Sequence, residues 1–217
     1  MRYEGTIYRP PSEANSLILQ ATIGCSYNRC TYCAMYQDKR FRQRSREDLC
    51  QDMDMAAATF GAERIRRVFL ADGDALIMRT SRLIEILEDM KARFPNFDRA
   101  SVYASPQALL KKSVEELTEL KEAGLPLHYA GPETGHPLVM ERIEKGVTPD
   151  EFIEGARRVV DAGAKLSVIL LLGIGGVELS TEHAIASARL VNAMEPRFVS
   201  TLTLTPVPGT PIAEEIN

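Results

Sequence analysis

Short apolar runs of strand length alternate along the chain with longer segments in which apolar residues recur at three- and four-residue spacing. Around Leu83, Ile86, Leu87 and Met90 this spacing is typical of an amphipathic helix. The strand-like runs are apolar at nearly every position, as expected of parallel strands that are covered on both faces. The alternation predicts a parallel α/β sheet with outer helices and strands at 16–22, 67–71, 100–104, 127–131, 165–172 and 198–204.

Helix boundary signals agree with this division of the chain. Ser113 with Glu116, and Thr148 with Glu151, have the spacing of capping boxes, and Pro149 suits the first position of a helix. Glycines at 61, 124 and 163 follow helix patterns, where a left-handed residue commonly ends a helix. No linker divides the sequence, so we expect a single domain over residues 1–217 that begins with an N-terminal strap at 1–15.

Polar and glycine-rich motifs follow almost every predicted strand. In chain order they read GCSYNRC, ADGDA, ASP, GPETG and GIGGVE. The carboxyl ends of parallel strands form the ligand-binding edge both in open doubly wound sheets and in barrels. An open sheet concentrates its motifs at one switch point. Motifs at nearly every strand end therefore favour a curved, barrel-like sheet whose strands converge on one centre.

Composition limits the class of protein. The 217 residues are 45% hydrophobic and 26% charged, with a formal net charge of −4, as in ordinary globular domains. This charge argues against nucleic-acid binding over the whole surface but allows a local basic patch. No apolar run is long enough to cross a membrane, and the first 15 residues lack the apolar segment of a signal peptide. We expect a cytoplasmic protein whose thiols stay reduced.

Three of the four cysteines lie close together after the first predicted strand. Cys25, Cys30 and Cys33 are spaced C-x4-C-x2-C, and thiolates suit zinc or an iron–sulfur cluster. Cys50 lies in the next helix pattern, where a small buried residue is the simplest interpretation. A closed zinc site needs four ligands, and no histidine has ligand spacing to these cysteines. Three thiolates favour a [4Fe–4S] cluster with one open iron, while zinc remains the alternative.

The cysteine loop resembles that of the radical S-adenosylmethionine (radical SAM) superfamily. Members usually carry C-x3-C-x2-C, with an aromatic residue before the last cysteine, after the first strand of a partial (β/α)6 TIM-like barrel. Tyr32 is that aromatic residue here, and the resemblance extends from about Ser16 to Pro211. One extra residue between Cys25 and Cys30 sets the chain apart from the commonest subgroups. The substrates of those subgroups therefore cannot be assigned to this chain.

The resemblance also implies contacts with S-adenosylmethionine at the later strand ends. ADGDA resembles the motif that binds the amino group, although Asp72 replaces its first glycine, and GPETG resembles a ribose-binding motif. Ser105 stands where relatives often carry a ribose-binding acid. Lys145 stands where relatives carry a base that faces the cofactor carboxylate, with Arg142 as the second choice. The implied contacts are Tyr32, Asp72, Gly73, Asp74, Ser105, Glu133, Arg142, Lys145, Leu172 and Gly173.

The resemblance implies an enzyme with two cofactors, a [4Fe–4S] cluster and S-adenosyl-L-methionine. The cysteines hold three irons, and the fourth iron binds the amino and carboxylate groups of S-adenosylmethionine. The reduced cluster cleaves this cofactor reductively to methionine and a 5′-deoxyadenosyl radical, which abstracts hydrogen from an unidentified small-molecule or anionic substrate. No catalytic acid or base is identified. A zinc-stabilised binding domain and an iron–sulfur electron-transfer protein on the same barrel are the alternatives.

A basic run follows the cysteines and consists of Lys39, Arg40, Arg42, Arg44 and Arg46. It predicts either a solvated loop and helix start, or a surface for an anionic substrate or a reducing partner such as flavodoxin or ferredoxin. Because few aromatic residues interrupt it, single-strand nucleic-acid binding is not favoured. Relatives usually continue beyond the sixth barrel strand into a segment that caps the barrel. We expect the open side of the barrel to be closed by the substrate, by a partner or by residues absent from this chain.

Overall fold

The structure is a computed structural model that describes residues 1–216, with side chains as far as 215. Within this range its strands are β1 (Leu17–Gln20), β2 (Thr22–Ile23), β3 (Arg42–Gln43), β4 (Arg67–Ala71), β5 (Arg99–Tyr103), β6 (Leu127–Glu133), β7 (Lys165–Leu172) and β8 (Phe198–Thr203). Six of them form one parallel sheet in the order β1-β4-β5-β6-β7-β8, and β2 pairs with β3 in a small antiparallel ribbon.

The α-helices lie between these strands and after the last one. They are α1 (Arg46–Phe60), α2 (Thr80–Arg93), α3 (Pro106–Lys111), α4 (Val114–Ala123), α5 (Pro137–Arg142), α6 (Pro149–Asp161), α7 (Ser180–Met194) and α8 (Pro211–Ile216). Both predicted capping boxes are present, at Ser113 with Glu116 and at Thr148 with Glu151. The predicted alternation of strands and helices is therefore confirmed.

Opposite faces of the sheet contact different apolar clusters. On β4, Val68 and Leu70 belong to the large core that includes residues of the outer helices, whereas Phe69 and Ala71 belong to an inner cluster. This division follows from the two-residue period of a strand. The sheet curves around the inner cluster, with β1 and β8 as its two ends in the strand order. The predicted partial (β/α)6 barrel of parallel strands is confirmed.

Aromatic side chains form a cluster inside the barrel. The rings of Phe69 and Tyr103 meet edge to face at a centroid distance of 4.9 Å, and Tyr129 packs against both. Ile7 from the N-terminal strap packs against the same cluster. Glu13, also in the strap, is fully buried, accepts a hydrogen bond from Tyr129 at 2.8 Å and pairs with Arg99 at 3.0 Å. The strap therefore contributes both apolar and charged contacts to this interior.

Two strand predictions need correction. The run at 16–22 forms two strands, because the chain leaves the main sheet at Ala21, whose carbonyl accepts a hydrogen bond from Arg44 N at 3.0 Å. The last strand was expected to be covered on both faces, yet all six residues of β8 are exposed. β8 is the end strand of the sheet and pairs with β7 alone. Across residues 1–216, no helix has the length and apolar character needed to cross a membrane.

Candidate functional site

The three clustered cysteines lie on the loop between β2 and β3, at the carboxyl end of the parallel strands. Each of Cys25, Cys30 and Cys33 is half-buried and reduced. The longer spacing between the first two is accommodated by Asn28, which has a positive φ of 48°. Asparagine tolerates this left-handed conformation better than most residues. Its side-chain amide donates to the carbonyl of Tyr36 at 2.9 Å, which ties the two halves of the loop together.

Burial raises the pKa of all three thiols, and the sulfurs lie within electrostatic range of one another. The Lys145 ammonium acts in the opposite direction on Cys30 and Cys33, because a nearby cation favours the thiolate. Binding a metal would offset the remaining cost of forming buried thiolates.

No three Cys, His, Asp or Glu side chains in the described chain are arranged to hold one metal ion together. A zinc site gathers its ligands on one ion, whereas the thiolates of a [4Fe–4S] cluster bind different irons and stand further apart.

Tyr32, Glu133 and Lys145 form a buried polar cluster beside these cysteines. The Tyr32 hydroxyl donates to Glu133 Oε1 at 2.8 Å, and Lys145 Nζ donates to the same oxygen at 3.1 Å and to the Tyr32 hydroxyl at 3.2 Å. Burial opposes protonation of Lys145, but the Glu133 carboxylate and Cys30 outweigh it and raise the pKa of Lys145. The three residues come from separate parts of the chain and meet at the carboxyl end of β6.

The turn after α5 positions Lys145 by packing against the cysteine loop. Thr31 N donates to the carbonyl of Ile143 at 3.1 Å, and the Tyr27 hydroxyl donates to the carbonyl of Glu144 at 2.9 Å. These two contacts join the segment around Cys30 to the segment that carries Lys145. The ammonium consequently acts electrostatically on Cys30 and Cys33, although 115 residues of sequence numbering separate Lys145 from Cys30.

Arg142, the second choice for the same role, is engaged elsewhere. Its guanidinium pairs with Glu215 on α8 at 2.7 Å, and its side chain is 44% exposed. Lys145 is by contrast 8% exposed. The structure thus brings Lys145, and not Arg142, into the cluster with Tyr32 and Glu133.

Asp72 is fully buried and anchors the start of the cysteine loop. Its Oδ2 accepts hydrogen bonds from Gly24 N at 2.9 Å, from Gln20 at 2.9 Å and from Lys39 Nζ at 3.0 Å. Its Oδ1 is buried without a partner among the described residues. One oxygen therefore holds the loop, and the other is the unused acceptor at this strand end.

Asp74 joins three elements at the same edge of the sheet. It accepts hydrogen bonds from Ser26 on the cysteine loop and from both the amide and the hydroxyl of Ser105, the latter two at 3.0 and 2.8 Å. Ser105 Oγ also accepts from Ala108 N at 3.0 Å and so caps α3. Burial raises the pKa of Asp74. Asp74 and Ser105 are therefore positioned by each other.

Gly73 is closely packed, whereas the end of β7 is exposed. A Cβ at Gly73 would lie 2.5 Å from the ring of Tyr36, so the close packing of that ring requires glycine. Gly73 N donates to the carbonyl of Gly24 at 3.2 Å. At the end of β7, Leu172 is 47% exposed and Gly173 adopts a φ of 86°. The exposed Leu172 is an apolar surface at the rim of the barrel.

The basic run after the cysteines forms ion pairs within the protein rather than a free patch. Lys39 pairs with Asp72, Arg44 with buried Asp52 at 2.5 Å, and the remaining pairs are Arg42 with Glu4 and Arg46 with Asp89. Arg40, Arg42 and Arg46 are exposed, as predicted for a solvated loop and helix start, whereas the side chains of Lys39 and Arg44 are buried with their carboxylate partners.

Cys50 lies on α1, as predicted, and apart from the other three cysteines. It is half-buried rather than fully buried, and its thiol lies beside Asp89. Sequence reasoning missed Ser26, Lys39 and Tyr36, which hold the site through contacts with Asp74, Asp72 and Gly73. Ser26 lies within the cysteine motif, and Tyr36 and Lys39 follow it closely, which was the available signal.

Comparisons with known proteins agree with this geometry. A family model described as the Radical SAM superfamily matches residues 19–188. An uncharacterized methyltransferase from Pyrococcus horikoshii is 24% identical over 199 residues, which are 91% of this chain and 41% of that protein. The chain therefore spans about two fifths of the length of this relative.

Two solved structures are similar over most of the chain. The crystal structure of methylornithine synthase matches with a TM-score of 0.67 and 17% identity, over 91% of this chain and 55% of that one. The radical S-adenosylmethionine methyltransferase TsrM from Kitasatospora setae matches with a TM-score of 0.70 and 22% identity, over 92% of this chain and 38% of that one. At these identities the likeness shows the fold.

Proposed function

Because the chain belongs to the radical SAM superfamily, we propose that it reductively cleaves S-adenosylmethionine at a [4Fe–4S] cluster and abstracts hydrogen from a substrate. Members of this family are enzymes that bind both cofactors. The observation that supports the proposal most strongly is the Tyr32–Glu133–Lys145 cluster beside Cys30 and Cys33. It combines an aromatic ring, an anion and a cation at the carboxyl end of the barrel strands, where such folds bind their ligands.

Cys25, Cys30 and Cys33 would hold three irons of the cluster. When bound, the reduced cluster supplies one electron that breaks a carbon–sulfur bond of S-adenosylmethionine and yields a 5′-deoxyadenosyl radical. The protein contributes thiolates, whose formation is opposed by burial and favoured at Cys30 and Cys33 by Lys145. Its hydrogen bonds and burial around the sulfurs also tune the reduction potential.

Lys145 and Glu133 are the residues we assign first to S-adenosylmethionine. They neutralise each other in the free protein. A ligand with a carboxylate for Lys145 and hydroxyl donors for Glu133 would satisfy both buried charges, as an amino acid joined to a ribose does. Tyr32 orients both side chains through its hydroxyl.

Each of the remaining predicted contacts is proposed to have its own role. Gly73 and Asp74 would bind the cofactor ammonium, because a buried carboxylate suits a cation. Asp72 contributes its free Oδ1 and holds the cysteine loop through Oδ2. Ser105 acts by orienting Asp74. The backbone at Leu172 and Gly173 would lie beside the adenine, and Arg142 is not assigned a contact.

The barrel interior would receive the substrate, with its aromatic floor excluding water from the radical. The reaction also requires an electron donor, for which a flavodoxin or ferredoxin is suitable, and we infer a reducing, cytoplasmic setting from the four free cysteines. The chain spans 41%, 55% and 38% of the three proteins it is compared with.

Methyl transfer is a second candidate outcome of the same site. Two of the compared proteins are described as methyltransferases, one of them 24% identical over 91% of this chain. Methyl donation by S-adenosylmethionine leaves S-adenosylhomocysteine, whereas reductive cleavage leaves 5′-deoxyadenosine. The ratio of these two products, measured by chromatography with mass detection, separates the candidates.

Anaerobic reconstitution tests the proposed cofactors. We expect about four irons per chain in the wild type, with an electron paramagnetic resonance spectrum that changes when S-adenosylmethionine is added. Cys50→Ala should keep both properties, and Cys30→Ala should lose the intact cluster. One zinc per chain without iron would contradict the proposal in favour of a binding domain. A cluster whose spectrum ignores S-adenosylmethionine would indicate an electron-transfer protein instead.

A further inference from the structure

A groove with a volume of about 310 Å³ lies at the amino ends of β1 and β4. Arg9, Arg64, Arg66 and Arg67 line it, and no aspartate or glutamate does. The cysteine loop leaves the opposite, carboxyl end of the same strands. The groove is therefore separate in space from the proposed active site.

The guanidinium groups in this groove have no acidic partners within residues 1–216. Arg9 donates to the carbonyl of Ser16 at 3.0 Å, and none of the four arginines takes part in an ion pair. The nearby Glu13 is fully buried and already paired with Arg99. In a protein with a net charge of −4, four cations left unpaired in one groove are unusual and repel one another.

Two exposed aromatic side chains accompany these arginines. Phe60, at the end of α1, is 51% exposed, and Tyr3, in the strap, is 42% exposed. Both line the same groove. An exposed ring beside guanidinium groups can stack on a planar base, while the planar guanidinium fork binds phosphate oxygens in pairs.

We propose that this groove binds a small phosphate ester of the nucleotide class, with at least two negative charges and a planar base. Several phosphate charges are needed because one negative charge would leave most of the guanidinium repulsion uncompensated. The volume is at the lower end for small-molecule sites, which suits one nucleotide rather than a long strand. An electron-donating protein fits less well, because its cofactor would have to approach the cysteine loop at the other end of the strands.

Titration of the full chain with ADP, inorganic pyrophosphate and single-stranded oligoribonucleotides of increasing length tests this proposal. Saturating S-adenosylmethionine is present throughout to occupy the other nucleoside site. We expect ADP to bind more tightly than pyrophosphate, and both to weaken about tenfold in Arg64→Ala and in Arg66→Ala. Phe60→Ala should weaken ADP binding but not pyrophosphate binding. These side chains are exposed, so the thermal midpoint should not change.

Arg189→Ala is the matched control, since Arg189 is an exposed arginine on α7 outside the groove. It should bind ADP and pyrophosphate as the wild type does. Equal loss in Arg189→Ala and Arg64→Ala would overturn the proposal, as would the absence of saturable ADP binding to the wild type. Binding that strengthens steadily with oligoribonucleotide length would identify a nucleic-acid surface instead. ADP binding lost in Glu133→Ala but kept in Arg64→Ala would place the ligand at the cofactor site.

Discussion

Lys145 shows how one buried cation can serve two neighbours at the proposed site. It pairs with Glu133, and it also lowers the pKa of the thiols of Cys30 and Cys33, which burial raises. Its position depends on the contact of Tyr27 with the turn that carries it. Lys145 therefore lies both beside the proposed cluster and in the proposed S-adenosylmethionine site.

Lys145→Met is expected to weaken S-adenosylmethionine binding by about tenfold or more, because the cofactor carboxylate loses its charged partner and the buried Glu133 carboxylate loses its cation. Equilibrium dialysis against the reconstituted protein measures the affinity. Arg142→Met is the matched control and should change it little, since Arg142 pairs with Glu215. A larger loss in the Arg142 variant would reverse the assignment of the two residues.

His128 gives the protein a pH-dependent stability that does not involve the site. It is fully buried on the helix-facing side of β6, and neither ring nitrogen has a hydrogen-bond partner in the described chain. Burial lowers its pKa to about 4, with a small opposing effect from the Leu125 carbonyl. The unfolded chain binds this proton near its ordinary pKa of about 6.5, so His128 lowers stability as the pH falls from about 6.5 to about 4.

His128→Leu should remove that part of the pH dependence. The free energy of unfolding of the variant should therefore rise relative to that of the wild type as the pH falls through this window. Urea unfolding at several pH values measures it. His136→Leu is the comparison, because His136 lies in the loop after β6 and is only partly buried. Parallel stability curves for the wild type and His128→Leu would refute this account of the buried imidazole.

At the scale of elements, Asp74 connects β4, the cysteine loop and the start of α3. Ser105 and Ser113 make a useful pair, since each caps a helix by accepting a hydrogen bond from the third helical amide. Only Ser105 also donates to Asp74. One residue thus has a capping role alone, and the other combines capping with orientation of a proposed cofactor contact.

Ser105→Ala and Ser113→Ala should each destabilise the protein by about 1 kcal/mol through loss of a helix cap. S-adenosylmethionine binding should weaken only in Ser105→Ala, because Asp74 loses a hydrogen bond that orients it. Denaturant unfolding and equilibrium dialysis on both variants provide the two readouts. An equal change in affinity would mean that Asp74 does not depend on Ser105.

Patterning predicted the elements whose environment is uniform and failed where the environment changes within a few residues. The strands β4 and β7 have the predicted bounds, because helices and barrel interior bury them along most of their length. The division at Ala21 depends on a hydrogen bond from Arg44, which no local pattern encodes. The exposure of β8 likewise depends on its place at the end of the sheet, although three of its six residues, Ser200, Thr201 and Thr203, are polar.

The candidate site could likewise be predicted only in part from the sequence. The cysteine spacing and the order of the strand-end motifs indicated the family, because both are properties of the sequence itself. The choice between Lys145 and Arg142 required the fold, since it depends on which side chain reaches Glu133 and which reaches Glu215. The pairing of the basic run was also hidden, because its partners, Glu4, Asp52, Asp72 and Asp89, lie in four different segments.

The whole molecule has two chemically different ends. The carboxyl ends of the strands carry the cysteines and the buried polar residues of the proposed reaction, whereas the amino ends of β1 and β4 carry the arginine-lined groove. Between them lies the aromatic interior of Phe69, Tyr103 and Tyr129, closed below by the strap through Ile7 and Glu13. This arrangement separates the proposed radical chemistry from a second, independent anion site.

The formation of 5′-deoxyadenosine tests the central claim most directly. The reconstituted protein is incubated anaerobically with dithionite and S-adenosylmethionine, and the products are quantified by chromatography. We predict that the wild type and Cys50→Ala each form one methionine for every 5′-deoxyadenosine. Cys30→Ala should form neither product. A wild-type protein with an intact cluster that forms no 5′-deoxyadenosine, or a Cys30→Ala variant as active as the wild type, would contradict the account.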